Sequence, residues 1–306
     1  MRFYSECRLY NANARLISLD LTDRVDSWIA EGLLPGFTNC FLPYRDDGDN
    51  VFTEEDYFNA DVNAINTSVG IIGFLDGATF DSGCGWEIGY GYSKGYPIHL
   101  ITTDFLRWYA GSSTECYHIS KLTQHVATVV AVWNENQSIS SYRQRQVDIL
   151  EQAFTAFRIN LINDFNRFVA PKVPLEPLPI LYDYYLDPNF DYTEPSQMLL
   201  REIENAITQA GKTFVLGDNM GDIEADITNL RQSGQAIFFS DVFEPNIDSA
   251  ILHGIAYGIG RKPIVYCSKK QRFHSEVADD YLSGMIRYSA AVVRSLAELK
   301  ALVSAL

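Results

Sequence analysis

The chain has 306 residues, 47% of them hydrophobic, which is enough apolar material for one large core or two smaller ones. A net charge of −15 leaves no electrostatic footprint for duplex DNA or RNA, and makes highly phosphorylated ligands poor candidates. Apolar runs such as Ile98–Ile101 and Ala127–Trp133 are strand-sized, far below the roughly 20 residues of a spanning helix.

In chain order, strands are expected at Arg2–Cys7, Asn39–Leu42, Val69–Leu75 and Ile98–Thr102, with helices around Asp20–Glu31, Glu54–Asn66 and Gly85–Lys94. Gly95 suits a C-terminal cap, and Gly89 and Gly91 suit close packing of the helix before it. Residues about 103–139 read as an insertion, and Ser140–Phe168 as helix. Ala170–Pro179 holds four prolines in ten residues, which removes donors and forbids a helix, so it reads as a linker. Strand and helix then alternate again from Pro179–Tyr184 to a last helix at Ala290–Leu306.

The second half repeats the first. A shift of 165 residues lays Asp61–Asp76 on Asp226–Asp241 and Glu87–Gly95 on Leu252–Gly260 without a gap. Asp61/Asp226, Ser68/Ser233, Ile72/Ile237, Phe74/Phe239, Asp76/Asp241, Gly89/Gly254, Tyr92/Tyr257 and Gly95/Gly260 are identical, and Pro-Ile strands follow in both copies. This reads as a duplication. The expected fold is α/β, two tandem parallel-sheet domains of flavodoxin or Rossmann type. The divisions are 1–169, a linker at 170–179, and 180–306 as a degenerate copy.

In such sheets ligands gather beyond the C-terminal strand ends, which points to the segment DGATFDSGCGWEIGYG after Val69–Leu75. Asp76, Asp81 and Glu87 lie there, and Asp61 lies on the preceding helix. Carboxylates so concentrated are unfavourable unless they bind something or share protons. The purely structural alternative is that Asp81 and Glu87 stabilise a helix N-terminus.

The run DSGCGWEIGYGYSKG resembles the signature of the nucleoside 2-deoxyribosyltransferase family, with Asp81, Gly83, Gly85, Glu87, Gly89, Tyr90, Ser93 and Gly95 in place. Asp61, twenty residues upstream of Asp81, and Tyr4 at the end of the first strand also fit, as does the FLP turn at Phe41–Pro43. The resemblance covers about residues 2–102. It implies transfer of a 2-deoxyribosyl group between nucleobases, a reaction of nucleotide salvage, through a glycosyl ester on Glu87. In that scheme Asp61 and Asp81 bind the base and handle its proton, Tyr4 holds Glu87, and Gly83 and Asp76 line the substrate site.

In the second copy Glu87 meets Leu252 and Asp81 meets Asn246, so one working site per chain is expected. Family members complete each other's sites with a C-terminal N-x-M segment. Ser283-Gly284-Met285 resembles it, with serine where asparagine is expected. The resemblance thus implies an internal pseudo-dimer in which Ser283 and Met285 serve the first copy's pocket, and it is compatible with higher oligomers. Ordinary core packing is the alternative for Met285.

Two rival readings stand beside transfer. One is an N-glycoside hydrolase of the same fold acting on nucleosides, nucleotides or NAD, as TIR-type glycohydrolases do. The other is a non-catalytic nucleotide-binding module. Nucleosides and free nucleobases are the expected partners, with no nucleic acid and no membrane. No cofactor is implied, because GYGYSKG lies inside a helix instead of opening one. No metal is implied by five dispersed histidines, or by five cysteines (Cys7, Cys40, Cys84, Cys116, Cys267) that never form CxxC. With no basic-then-apolar leader, a reduced, cytoplasmic protein is expected.

Overall fold

The structure, a computed structural model, describes all residues except 7–11, 47–52, 76–80, 104–107, 110–115, 118, 133–141, 188–193, 219–220, 240–246, 269–281 and 306. Asp76, Cys7 and Asn246 therefore lie outside the described residues.

The first half runs β1 (Arg2–Ser5), α1 (Ala12–Ala30), β2 (Asn39–Phe41), α2 (Pro43–Asp46), α3 (Glu54–Asn66), β3 (Ile71–Phe74), α4 (Ser82–Ser93) and β4 (Ile98–Thr102). A two-stranded antiparallel ribbon, β5 (Trp108–Tyr109) and β6 (Cys116–Tyr117), precedes α5 (Lys121–Val126), β7 (Thr128–Ala131), α6 (Tyr142–Asn163) and α7 (Phe165–Val169). The second half runs β8 (Tyr182–Leu186), α8 (Glu194–Gln209), β9 (Phe214–Leu216), α9 (Ile223–Arg231), β10 (Ser233–Phe239), α10 (Ile247–Gly258), β11 (Lys262–Tyr266), α11 (Gly284–Tyr288), β12 (Ala291–Val293) and α12 (Leu296–Ala305).

The first sheet is parallel in the order β2-β1-β3-β4-β7, and the second in the order β9-β8-β10-β11-β12. Both are the doubly wound, Rossmann-like order in which the sheet reverses direction beside its first strand. Register agrees as well. Tyr4 pairs with Ile71 and Tyr185 with Ala236, positions 165 apart, so Tyr185 is the counterpart of Tyr4. Glu6 N donates to Ile72 O at 2.9 Å, and Asp187 N to Ile237 O at 2.9 Å.

Alternation along the short strands sorts their side chains. Phe3, Ile72, Phe74 and Ile101 face one way, onto Phe154, Phe157 and Phe168. Tyr184, Leu186, Ile237, Phe239 and Ile264 do the same in the second sheet, onto Ile203, Ile207 and Val303. Tyr4 and Tyr185 are thereby turned to the opposite face. Helix ends follow local chemistry. Thr53 and Asp56 form a reciprocal capping box at the start of α3, and Asp222 accepts from Ala225 N at α9. Gly95 and Gly260, at φ +75° and +76°, close α4 and α10 in the left-handed conformation.

By compactness the chain divides into Met1–Phe80 with Lys94–Val173, and Asp81–Ser93 with Pro174–Leu306. In this division α4 is grouped with the second unit. The reason is its packing on α10. A Cβ at Gly85 would lie 2.8 Å from Ala250 Cβ. One at Gly89 would fall inside the Ile251 carbonyl, and one at Gly254 inside the Trp86 carbonyl. Those pairs are related by the same shift of 165, so the two helices meet through a self-complementary, glycine-lined face.

Two expectations are corrected. Residues 103–139 are not an insertion without counterpart, because α5 and β7 supply the last strand of the first sheet, as α11 and β12 do in the second. The connections before them, 103–120 and 267–283, are of nearly equal length. Ala290–Leu306 is not one helix either. Ala291–Val293 pairs with Ile264–Tyr266 as β12, and the helix begins at Leu296. Residues 170–181 are without helix or strand, yet they are strapped down: Leu175 N donates to Ser93 O at 2.8 Å and Leu178 N to Arg231 O at 3.1 Å.

Candidate active site

In the first unit, Tyr4 is fully buried on β1, stacked on Phe41 at 6.0 Å, and Asp61 is buried on α3. Glu6, two residues beyond Tyr4, is also buried. Its carboxylate packs so closely on Gly73 that a Cβ there would overlap it. Asp187, its counterpart in the second unit, is buried too and accepts from Ser249 Oγ at 2.6 Å. Sequence reasoning passed over both acids. The available signal was an acid two residues after a strand tyrosine, in YSE and YLD.

In the second unit, Asp81 Oδ1 accepts from Gly83 N at 2.8 Å, and Gly85 N donates to Asp81 O at 3.1 Å. Asp81 therefore does cap α4. Glu87 does not. Because α4 starts at Ser82 instead of Gly85, Glu87 sits in the second turn, beyond the reach of terminal amides. It is nonetheless only 6% exposed. A glutamate buried at mid-helix has no capping role to account for it, and few ionisable groups are buried without a specific use.

Ser283 and Met285 come to the same place. A Cβ on Gly83 would lie 3.0 Å from Asp81 Oδ1, 3.0 Å from Ser283 Oγ and 3.6 Å from Met285 Cγ. Gly83 is thus the bare point on which these three residues converge, and all three are buried. Ser283 is the N-cap residue of α11 but makes no side-chain capping bond.

The second half carries a tyrosine–aspartate pair of its own. Tyr185 donates to Asp226 Oδ1 at 2.8 Å, and Asp218 N donates to the same oxygen at 3.1 Å. Burial holds the Asp226 carboxyl above its ordinary pKa, against these two hydrogen bonds. Leu252, fully buried, stands where Glu87 would be. Among the described residues no group of three or more His, Cys, Asp or Glu is placed to hold a metal, and no helix is long and apolar enough to cross a membrane. Cys40, Cys84 and Cys267 are buried and form no disulfide.

Each of the two sheets, with its helices, has a Rossmann-like α/β architecture. Residues 20–156 match the family model described as nucleoside 2-deoxyribosyltransferase. The match includes Asp61, Asp81, Gly83 and Glu87; Tyr4 and the whole second half lie outside it. No curated protein matches the chain.

Proposed function

We propose that the protein moves a 2-deoxyribosyl group from one nucleobase to another through a covalent ester on Glu87. The carrying observation is Glu87 itself, buried in the second turn of α4 within the family-matched segment, where capping does not explain it. Its carboxylate attacks C1′ and the C1′–N bond breaks toward the base. A protonated carboxyl, Asp61 or Asp81, supplies the proton that the leaving nitrogen needs. The incoming base then attacks C1′, releases Glu87 and returns a proton, so configuration is retained. Gly83 leaves room for the sugar beside Ser283 and Met285, and Asp76 belongs to the same segment. Residues 180–306 are the duplicated, non-catalytic copy that supplies Ser283 and Met285. Substrates are neutral nucleosides and free bases, and the buried thiols suit a reducing cytosol.

Wild type and Glu87→Ala are incubated with deoxyinosine, with and without cytosine or adenine, and products are separated chromatographically. A new deoxynucleoside made by wild type alone supports the reading. Release of hypoxanthine insensitive to added base makes the protein a hydrolase. No turnover of any nucleoside, nucleotide or NAD makes it a binding module.

A further inference from the structure

α11 is five residues long, too short to hold a pose by its own hydrogen bonds. Its start nevertheless brings Ser283 and Met285 against Gly83. The fastening lies at its other end. Ser289 Oγ is 2.5 Å from Met285 O and 3.2 Å from Ile286 O, and His253 Nε2 on α10 is 3.0 Å from the same Oγ. A hydroxyl has one proton. With that proton directed to the Met285 carbonyl, the Ser289 oxygen is left as an acceptor, and His253 donates to it through Nε2–H. The imidazole is 1% exposed and stacks on Phe238 at 5.1 Å and 10°. Burial pulls its pKa down to about 3, so it is the neutral, single-donor form that makes this bond near neutral pH. At the shift of 165, His253 stands opposite Ile88, an apolar residue of α4. The second half therefore carries a buried donor where the first carries an aliphatic side chain, and that donor has its partner at the end of α11.

We propose that His253 is a positioning residue of the glycosyl-transfer site. Through Ser289 it fixes α11, and with it Ser283 and Met285, against Gly83 and Asp81, and so it sets nucleoside affinity without touching the nucleoside. The inference rests on the function proposed above.

The test uses full-length His253→Leu, Ser289→Ala and His253→Gln, with deoxyinosine as donor and adenine as acceptor. In the Leu and Ala variants KM for deoxyinosine should rise roughly five- to tenfold, the scale of one buried neutral hydrogen bond, with kcat little changed. His253→Gln, whose side-chain N–H replaces Nε2–H, should stay near wild type. Hydrogen exchange of amides 284–289 supplies a readout independent of turnover, and should quicken in the Leu and Ala variants but not in Gln. Unchanged KM with unchanged exchange overturns the proposal. So does an equal loss of kcat and global stability in all three variants, which marks His253 as core packing alone. Absence of turnover by wild type overturns the functional reading instead, and faster exchange confined to Leu and Ala would still establish the tether.

Discussion

Tyr185 donates its hydroxyl to Asp226 at 2.8 Å, and in the second half these two residues stand where Tyr4 and Asp61 stand in the first. Both hydrogen bonds given to Asp226 end on Oδ1, and an asparagine in the same pose accepts both. Burial disfavours the charged carboxylate here. The folded pKa is raised, so the folded state is penalised as pH rises through it. Asp226→Asn is therefore expected to be neutral or stabilising at pH 7. Asp226→Ala, which leaves a buried phenol without its acceptor, is expected to lose about 1–3 kcal/mol. Urea denaturation of both variants checks the order, and a larger loss in Asn than in Ala would contradict it.

The glycine-lined face between α4 and α10 gives a steric prediction. Gly254→Ala drives a methyl into the Trp86 carbonyl, which is backbone and cannot swing aside. Gly260→Ala meets open space and strains only a left-handed φ of +76°. Gly260→Ala is expected to lose about 1 kcal/mol. Gly254→Ala is expected to exceed that clearly, by the overpacking scale of about 1–3 kcal/mol or beyond. Denaturation midpoints of the two variants test this.

His99 predicts an acid-sensitive stability. It is fully buried between Phe157 and Phe168, with Nε2 3.2 Å from Asp164 Oδ2. Burial lowers its pKa to about 4; Asp164 opposes that shift and Arg167 adds to it. Between pH 6.5 and about 4 the unfolded chain takes up a proton that the folded chain refuses, so stability falls as pH is lowered through that window. His99→Leu should flatten this limb by at most about 1.4 kcal/mol per pH unit. His253, held down to about 3, contributes a limb of the same sign that extends to lower pH. Denaturation measured at pH 7, 6 and 5 compares the variant with wild type; parallel curves would contradict the assignment.

Gly83→Ala probes the convergence of Asp81, Ser283 and Met285. The added methyl would sit 3.0 Å from both Asp81 Oδ1 and Ser283 Oγ, tighter than ordinary contact. Those side chains must give way by a few tenths of an ångström. The expected result is a fall in kcat/KM of roughly tenfold or more with a nearly unchanged melting temperature, since small misplacements at a reacting centre can have effects on the order of a hundredfold. An unaltered kcat/KM would mean that this point is not part of the substrate site.

Much of this was legible in the sequence where local chemistry and tertiary packing agree. The helix Glu54–Asn66 lies where expected, with Thr53 and Asp56 closing a capping box at its start. The last strand of each sheet was hidden, because Thr128–Ala131 and Ala291–Val293 are short apolar runs whose state is decided by pairing with β4 and β11. Tyr185 was hidden for another reason. Its offset from Tyr4 is 181, not 165, since the connections between the first and third strands differ in length. Glu87 was legible as an acid near a helix start, but its place in the second turn, which removes the capping explanation, needed the structure. The tether from His253 to Ser289 joins residues 36 apart that no periodicity connects.

The role proposed for Glu87, to carry the sugar, is open to direct measurement. Wild type and Glu87→Ala are mixed with deoxyinosine in the absence of acceptor base, quenched in acid within the first turnover, and analysed by intact-mass and peptide mass spectrometry. Wild type should gain the mass of one deoxyribosyl group on the peptide containing Glu87, adenine should remove it, and Glu87→Ala should show no adduct and no turnover. Turnover by Glu87→Ala, or an adduct on any other residue, would contradict it.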